Sequence, residues 1–272
     1  MSRLSDTETW RRYDDDERRL SAPVSERMLA LARLRPGLRV LDVATGRGEP
    51  ATRAAACVAP DGSVLGTDRS EDMLAFARER AAREGIANLA LQVADAQVLE
   101  GVPERAFDAA LCRWGLMYLD QPRRALAAIA RSLRPGGRFV AAVWGEPARV
   151  GWWSMPRDVL ARQVVQPPID ESLPGVFHYA RSVRLRADLA AEGFEIEHEE
   201  SLSTPVMESP TPAGVIAWCE AFGLGRLLDA QPAAVRTAWT RDMTEAATAL
   251  RDADGFYRLG GETRLVAARL RG

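Results

Sequence analysis

The chain contains no lysine, so its 36 Lys-plus-Arg cations are all arginine. They are spread along the sequence rather than concentrated in one segment. The coding bias of a GC-rich genome explains this better than an arginine-rich phosphate-binding site. Cysteine is scarce too: Cys57, Cys112 and Cys219 are far apart and odd in number. They form no metal-ligand spacing and no disulfide framework, and read as buried thiols in a reducing cytosol. A basic excess is missing, with net charge −2 and a pI near 5.9, so nucleic acid is not an expected partner. No apolar run approaches the roughly 20 residues of a membrane span. The acidic start, with Asp6, Glu8 and the run Asp14-Asp15-Asp16-Glu17, does not read as a signal peptide. The expectation is a cytoplasmic protein with no bound metal.

The 272 residues, 47% hydrophobic and 27% charged, suit one globular domain with a sizeable core, or such a domain with added insertions. Residues 6–20 and 22–34 read as two helices, the second with Ser21 as N-cap and Pro23 in its first turn. Short apolar runs at 38–43, 64–67, 89–93, 107–111 and 138–144 read as strands. They alternate with helical patterns, one of them capped by Ser70 and ended by Gly85, another running from Pro122 to Arg134. Five such alternations with short connections imply a parallel sheet covered on both faces. The rhythm breaks after Trp144. A helix at 182–193, a strand at 194–202 and a half-exposed strand at 264–270 then belong to the same sheet, and 211–250 is helical.

The stretch Val40-Leu41-Asp42-Val43-Ala44-Thr45-Gly46-Arg47-Gly48-Glu49 carries most of the functional signal. A strand ends at an acid, and two glycines turn the chain into a helix. Glycine lets a backbone approach a ligand closely, and free helix N–H groups hold anions. In such sheets ligands sit beyond the carboxyl ends of the strands, where the strand order reverses. Gly46-x-Gly48-x-x-Ala51 also satisfies the loose dinucleotide fingerprint, with Asp68 near the distance of a ribose-binding acid. Asp42 argues against that ligand, because its carboxylate would repel a pyrophosphate and attract a cation. Asp42, Asp68 and Asp95 each follow a successive strand, which makes a purely connecting turn a poor explanation.

With these residues the chain resembles the class I S-adenosylmethionine (SAM)-dependent methyltransferases, in particular the group similar to the ubiquinone/menaquinone-biosynthesis enzymes. The resemblance spans roughly residues 36–144. It rests on Arg35-Pro36-Gly37-Leu38-Arg39-Val40-Leu41-Asp42, on Gly66-Thr67-Asp68-Arg69-Ser70-Glu71-Asp72-Met73-Leu74, on Ala94-Asp95-Ala96 and on Leu133-Arg134-Pro135-Gly136-Gly137-Arg138. Ala44 stands where the family usually has the first glycine of its loop. The resemblance implies SAM as cofactor. Asp42 would orient its methionine ammonium, with Ala44, Gly46 and Gly48 passing beneath it. Asp68 would accept both ribose hydroxyls, and Asp95 with Ala96 would bind adenine. Arg69, Met73 and Arg113 would complete the cofactor site.

Arg113-Trp114-Gly115-Leu116-Met117-Tyr118 follows the fourth strand, Trp144 ends the fifth, and Trp152 and Trp153 come soon after. Aromatic faces near a sulfonium are worth roughly 0.5–2 kcal/mol each and wall an apolar pocket. Trp10, Trp114, Met117, Tyr118, Trp144, Trp152, Trp153 and His178 are therefore the expected acceptor pocket. Trp218 and Trp239 read as ordinary staples. His178, Arg113 and Tyr13 are the candidates for a catalytic role. His198 sits among Glu195, Glu197, Glu199 and Glu200 and reads as part of a solvated face.

The expected fold is α/β, a doubly wound, Rossmann-like, seven-stranded and mostly parallel sheet with its last strand antiparallel. Helical insertions would cover one end. The segments would be 1–35 over the site, 36–145 as cofactor core, 146–180 and 204–254 as insertions, 181–203 as core helix and strand, and 255–272 as final strand. The expected activity is methyl transfer to a small, apolar or aromatic molecule, a secondary metabolite or quinone-like precursor, with oxygen favoured as acceptor atom, by a monomer or homodimer. An NAD(P)-dependent oxidoreductase and an RNA or protein methyltransferase are the alternatives.

Overall fold

The computed structural model describes residues 7–272. Its seven strands are β1 (Arg39–Val43), β2 (Ser63–Asp68), β3 (Leu89–Val93), β4 (Phe107–Arg113), β5 (Leu133–Trp144), β6 (Phe194–Ser209) and β7 (Tyr257–Leu270). They form one sheet in the order β3-β2-β1-β4-β5-β7-β6. β1 to β5 run parallel to their neighbours, and β7 pairs antiparallel with β5, Trp144 opposite Thr263. This is the expected doubly wound α/β sheet. Its order reverses between β1 and β4, so the tips of those two strands flank the crevice where such sheets bind ligands.

The helices are α1 (Thr7–Leu31), α2 (Ala51–Val58), α3 (Glu71–Arg83), α4 (Pro122–Ser132), α5 (Gly151–Ala161), α6 (Ser182–Ala191), α7 (Pro212–Trp218), α8 (Gly225–Asp229) and α9 (Ala233–Thr248), with a π-helical turn at Cys219–Leu224 between α7 and α8. No helix among the described residues is long and apolar enough to cross a membrane.

Contacts group the chain into two units. Among the described residues, the sheet unit comprises 23–145, 170–202 and 263–272; the helical unit comprises 7–22, 146–169 and 203–262. The 146–180 segment contributes 146–169 to the helical unit and 170–180 to the sheet unit. Its second part is held to the sheet unit by the Gly175 N–H, which donates to the Met117 carbonyl at 2.9 Å, and by Arg264, which donates to the Ala180 carbonyl at 2.7 Å. α1, β6 and β7 each contribute residues to both units.

In the sheet unit, β1 is buried at four of its five positions, as a parallel strand covered on both faces requires. Val24 and Met28 of α1 and Ala51, Ala54, Ala55 and Val58 of α2 pack on Val40, Val64, Leu111 and Val140. The alanines of α2 let the helix lie close on the sheet. α3 begins where Ser70 Oγ accepts the Met73 N–H, with Glu71 and Asp72 at its positive end. In the helical unit Trp239 is fully buried, and its indole N–H donates to the Pro156 carbonyl at 2.9 Å. There Arg258 bridges Glu208, Asp252 and Asp254.

Candidate functional site

The tip of β1 holds a buried acid. Asp42 is completely inaccessible. Its Oδ2 accepts the Thr45 hydroxyl at 2.6 Å, while its Oδ1 has no hydrogen-bond partner. Burial pushes its pKa up to about 7; the Thr45 hydrogen bond and the Arg113 cation oppose that rise, and the Glu49 charge adds to it. A carboxylate this poorly solvated is a site waiting for positive charge. Thr45, which holds the carboxylate, went unnoticed in the sequence; a hydroxyl three residues beyond the strand-end acid is the signal that marks it.

The two loop glycines do different things. A Cβ on Gly46, at φ +53°, would meet nothing within 4 Å, so this is the face a ligand can approach. A Cβ on Gly48, at φ +85°, would lie 3.0 Å from the Ala77 Cβ of α3. Gly48 thus lets α3 pack close to the loop. Ala44 adopts φ +56°, a left-handed conformation that its methyl makes costly. Arg80, 3% exposed, donates to the Arg47 carbonyl at 2.8 Å and props the loop from α3.

Asp68, at the tip of β2, ties that strand to the loop. Its Oδ2 accepts the Gly46 N–H and its Oδ1 the Ser70 N–H, both at 2.9 Å. Each oxygen keeps a second lone pair, so a vicinal diol can still be received. Asp95, beyond β3, is exposed and accepts the Gln97 N–H at 2.9 Å; Ala96 beside it is buried. Met73 is half-buried and Arg69 exposed, whereas Leu74 is fully in the core. The Asp42, Gly46, Asp68 and Asp95 positions therefore share the carboxyl edge of three adjacent parallel strands.

At the tips of β4 and β5, Trp114 stacks on Trp144, with ring centroids 4.5 Å apart and 9° between planes. The Trp114 indole N–H donates to Thr263 Oγ1 at 3.2 Å, and the Arg113 guanidinium lies 4.6 Å from the Trp114 ring. Trp114 itself has φ +53°, an unusual conformation for a bulky residue. Met117 is fully buried and Tyr118 is 41% exposed. His178 belongs to the sheet unit. Its Nδ1 lies 3.2 Å from the Leu173 carbonyl and 3.4 Å from the Arg184 guanidinium, which also donates to the His178 carbonyl at 3.1 Å.

The remaining expected pocket residues, Trp10, Trp152 and Trp153, lie in the helical unit together with Tyr13. There Phe222 of the π-helical turn packs against Trp10 (4.6 Å), Tyr13 (5.3 Å) and Trp218 (5.1 Å). Trp218 meets Trp152 edge to face at 6.0 Å. Trp218 is thus part of this aromatic cluster and not an isolated staple; its i,i+4 spacing from Phe222 was the signal for it. Among the described residues no group of three His, Cys, Asp or Glu comes together as metal ligands.

Residues 40–137 match the family model described as a methyltransferase domain. The chain is 39% identical over 120 residues to a demethylmenaquinone methyltransferase of Symbiobacterium thermophilum, covering 44% of this chain and 47% of that protein. It is 35% identical over 120 residues to a ubiquinone/menaquinone biosynthesis C-methyltransferase of Ectopseudomonas mendocina, covering 44% and 46%. The chain thus spans about half the length of the curated relatives it matches. Among solved structures, a putative methyltransferase from Bacillus halodurans superposes with a TM-score of 0.60 at 20% identity, over 91% of this chain and 98% of that one; this likeness is one of fold.

Proposed function

We propose, from the premise that residues 40–137 form a methyltransferase domain of the class I, SAM-dependent type, that the protein transfers a methyl group from SAM to a small acceptor with a planar, largely apolar body. The observation that carries this reading is the buried Asp42 with its unpartnered Oδ1, next to a glycine over which space is open. The residues fit the cofactor. Asp42 meets its ammonium, Gly46 lets it approach, Asp68 has lone pairs left for the ribose hydroxyls, and Asp95 with Ala96 lies where adenine is expected. Bound SAM supplies a methyl group on a positively charged sulfur. A pyrophosphate beside Asp42 would face like charge instead, which argues against a dinucleotide.

The protein's own task is alignment in a dry site, which supplies about 7–11 kcal/mol in favourable cases. The stacked Trp114 and Trp144 give the strand tips an apolar, electron-rich lining suited to a flat acceptor and to sulfonium charge. His178 is the proposed proton acceptor when the acceptor is a hydroxyl. An electron-rich ring offers both oxygen and carbon as nucleophiles. Oxygen is the reading from the sequence, and the names of the curated relatives favour carbon.

Titration calorimetry with SAM, its demethylated product and NAD tests the cofactor. Micromolar SAM binding with none of NAD is expected, and the reverse overturns the proposal. Labelled SAM incubated with host extract, followed by NMR of the labelled product, identifies the acceptor atom.

A further inference from the structure

Arg113 ends β4, and the register of the sheet fixes where it stands. β1 and β4 are parallel neighbours, with Asp42 opposite Leu111. Arg113 lies two residues beyond Leu111, so it shares a sheet face with Asp42. Strand spacing puts the two Cα atoms roughly 8 Å apart, within reach of an arginine side chain. On its other side Arg113 pairs with Ala142 of β5, two residues before Trp144. All of these residues belong to the sheet unit.

The guanidinium is held in place. It lies 4.6 Å from the Trp114 ring. That ring stacks on Trp144, and its indole N–H donates to Thr263 Oγ1. Thr263 and Trp144 thus fix Trp114, and Trp114 supports the cation. The cation acts on Asp42, whose pKa its charge lowers against the opposing effect of burial. Two other arginines near the loop have different work. Arg53 pairs with Glu49 at 2.7 Å, and Arg80 donates to the Arg47 carbonyl.

The amino-acid end of SAM carries two charges, an ammonium and a carboxylate. Asp42 answers the first. A carboxylate brought among the acids of these strand tips needs a cation of its own. A guanidinium fork suits it, because it holds a planar carboxylate through two parallel hydrogen bonds. Resting on the methyl-transfer reading for the identity of the ligand, we propose that Arg113 receives the carboxylate of the cofactor's amino-acid end. Asp42 and Arg113 then select a zwitterion together and discriminate against a ligand that lacks the carboxylate.

Calorimetry on the full chain compares SAM with decarboxylated SAM, which keeps the ammonium and the sulfonium and has hydrogen in place of the carboxylate. Wild type is expected to bind SAM at least about tenfold more tightly, as the loss of a charge-assisted contact implies. Arg113→Gln should weaken SAM and leave decarboxylated SAM unchanged or tighter, bringing the two to within about threefold. Arg113→Lys, which keeps the charge and loses the fork, should fall between. Arg123→Gln, at an exposed position of α4 paired with Glu192, should leave the preference unchanged. The pH midpoint for binding decarboxylated SAM should move upward in Arg113→Gln, because Asp42 loses the charge that opposes its burial. A midpoint that falls instead marks a loosened, better hydrated site and overturns the proposal. Equal affinity of wild type for the two ligands, or a preference that survives Arg113→Gln, overturns it as well. In those cases SAM binding by wild type leaves the methyl-transfer reading standing, whereas failure of wild type to bind SAM sinks that reading and the proposal with it. A thermal melt checks that Arg113→Gln folds; if it does not, Arg113→Lys and the wild-type comparison carry the test.

Discussion

Ala44 and Gly115 are fitted to each other: a Cβ on Gly115 would lie 2.6 Å from the Cβ of Ala44. The β1 loop carries the Ala44 methyl, and the segment after β4 carries the glycine that makes room for it. Gly115→Ala is therefore expected to destabilise by about 1–3 kcal/mol through overpacking. Ala44→Gly relieves a left-handed φ of +56° and should stabilise by about 1 kcal/mol. In the double variant the cost of Gly115→Ala should fall, leaving only the 3.2 Å approach of the new Cβ to Cys112 Sγ. Chemical denaturation of the four proteins checks this, and additive effects would show that the two positions do not touch.

Asp42 makes the ligand-free protein sensitive to pH. Its folded pKa, near 7, exceeds the unfolded value of about 3.9. Its contribution to stability is then fully present below pH 4 and is lost as the pH rises through 7. Asp42→Asn removes that loss, while its amide oxygen can still accept the Thr45 hydroxyl. Without ligand, the variant should melt several degrees above wild type at pH 8, by less at pH 5, and close to it at pH 4. It should also lose the thermal shift that SAM gives wild type. A variant that melts lower than wild type at pH 8 would mean that Asp42 is already stabilised by a cation.

The same ionisation governs affinity. A cationic ligand needs Asp42 charged, so protonation of the free protein competes with binding. The Kd for SAM should rise as the pH falls below 7, by up to tenfold per unit, until the pKa of the bound state is reached. Calorimetry between pH 5.5 and 8 in buffers of different ionisation enthalpy would also detect the released proton. A flat profile would contradict a contact between Asp42 and the ammonium.

Asp68 has structural as well as binding work, because it accepts the Gly46 and Ser70 N–H groups. Asp68→Ala should weaken SAM binding at least tenfold. It should also cost roughly 1–3 kcal/mol of stability, since two N–H groups lose a charged acceptor. Asp68→Asn, keeping one acceptor oxygen, should fall between in both respects. Unchanged SAM affinity in the alanine variant would move the ribose elsewhere.

Strands β1 to β4 were legible because each is a short apolar run closed by an acid or a turn, and the α3 boundaries because Ser70 and Gly85 punctuate them. Three features were hidden. α1 is one helix, not two, because the buried stripe Leu20, Val24, Met28 runs through Pro23 and outweighs the single hydrogen bond that proline removes. β5 begins at Leu133, before the Pro135-Gly136-Gly137 turn, because Leu133 pairs with Phe107 and the ladder resumes only at Arg138 opposite Ala109; residues 134–137 bulge out between. β6 continues to Ser209 and β7 starts at Tyr257, well beyond the 194–202 and 264–270 runs that the alternation of residues marks. In the candidate site, the acids were readable from their place after strands. The division of labour between Gly46 and Gly48 was not, since it depends on Ala77, which is 29 positions away from Gly48 in the chain.

The π-helical turn at Cys219–Leu224 has an evolutionary corollary. A wide turn of this kind is equivalent to one extra residue inserted into an ordinary helix. Deleting Ala221 would rewind the segment and swing Phe222 by about 100° around the helix axis, away from Trp10 and Tyr13, with the flanking helices left in place. The loss of a single codon here would thus reshape the aromatic cluster of the helical unit in one step, with the buried Cys219 and Leu224 of the same turn forced to repack.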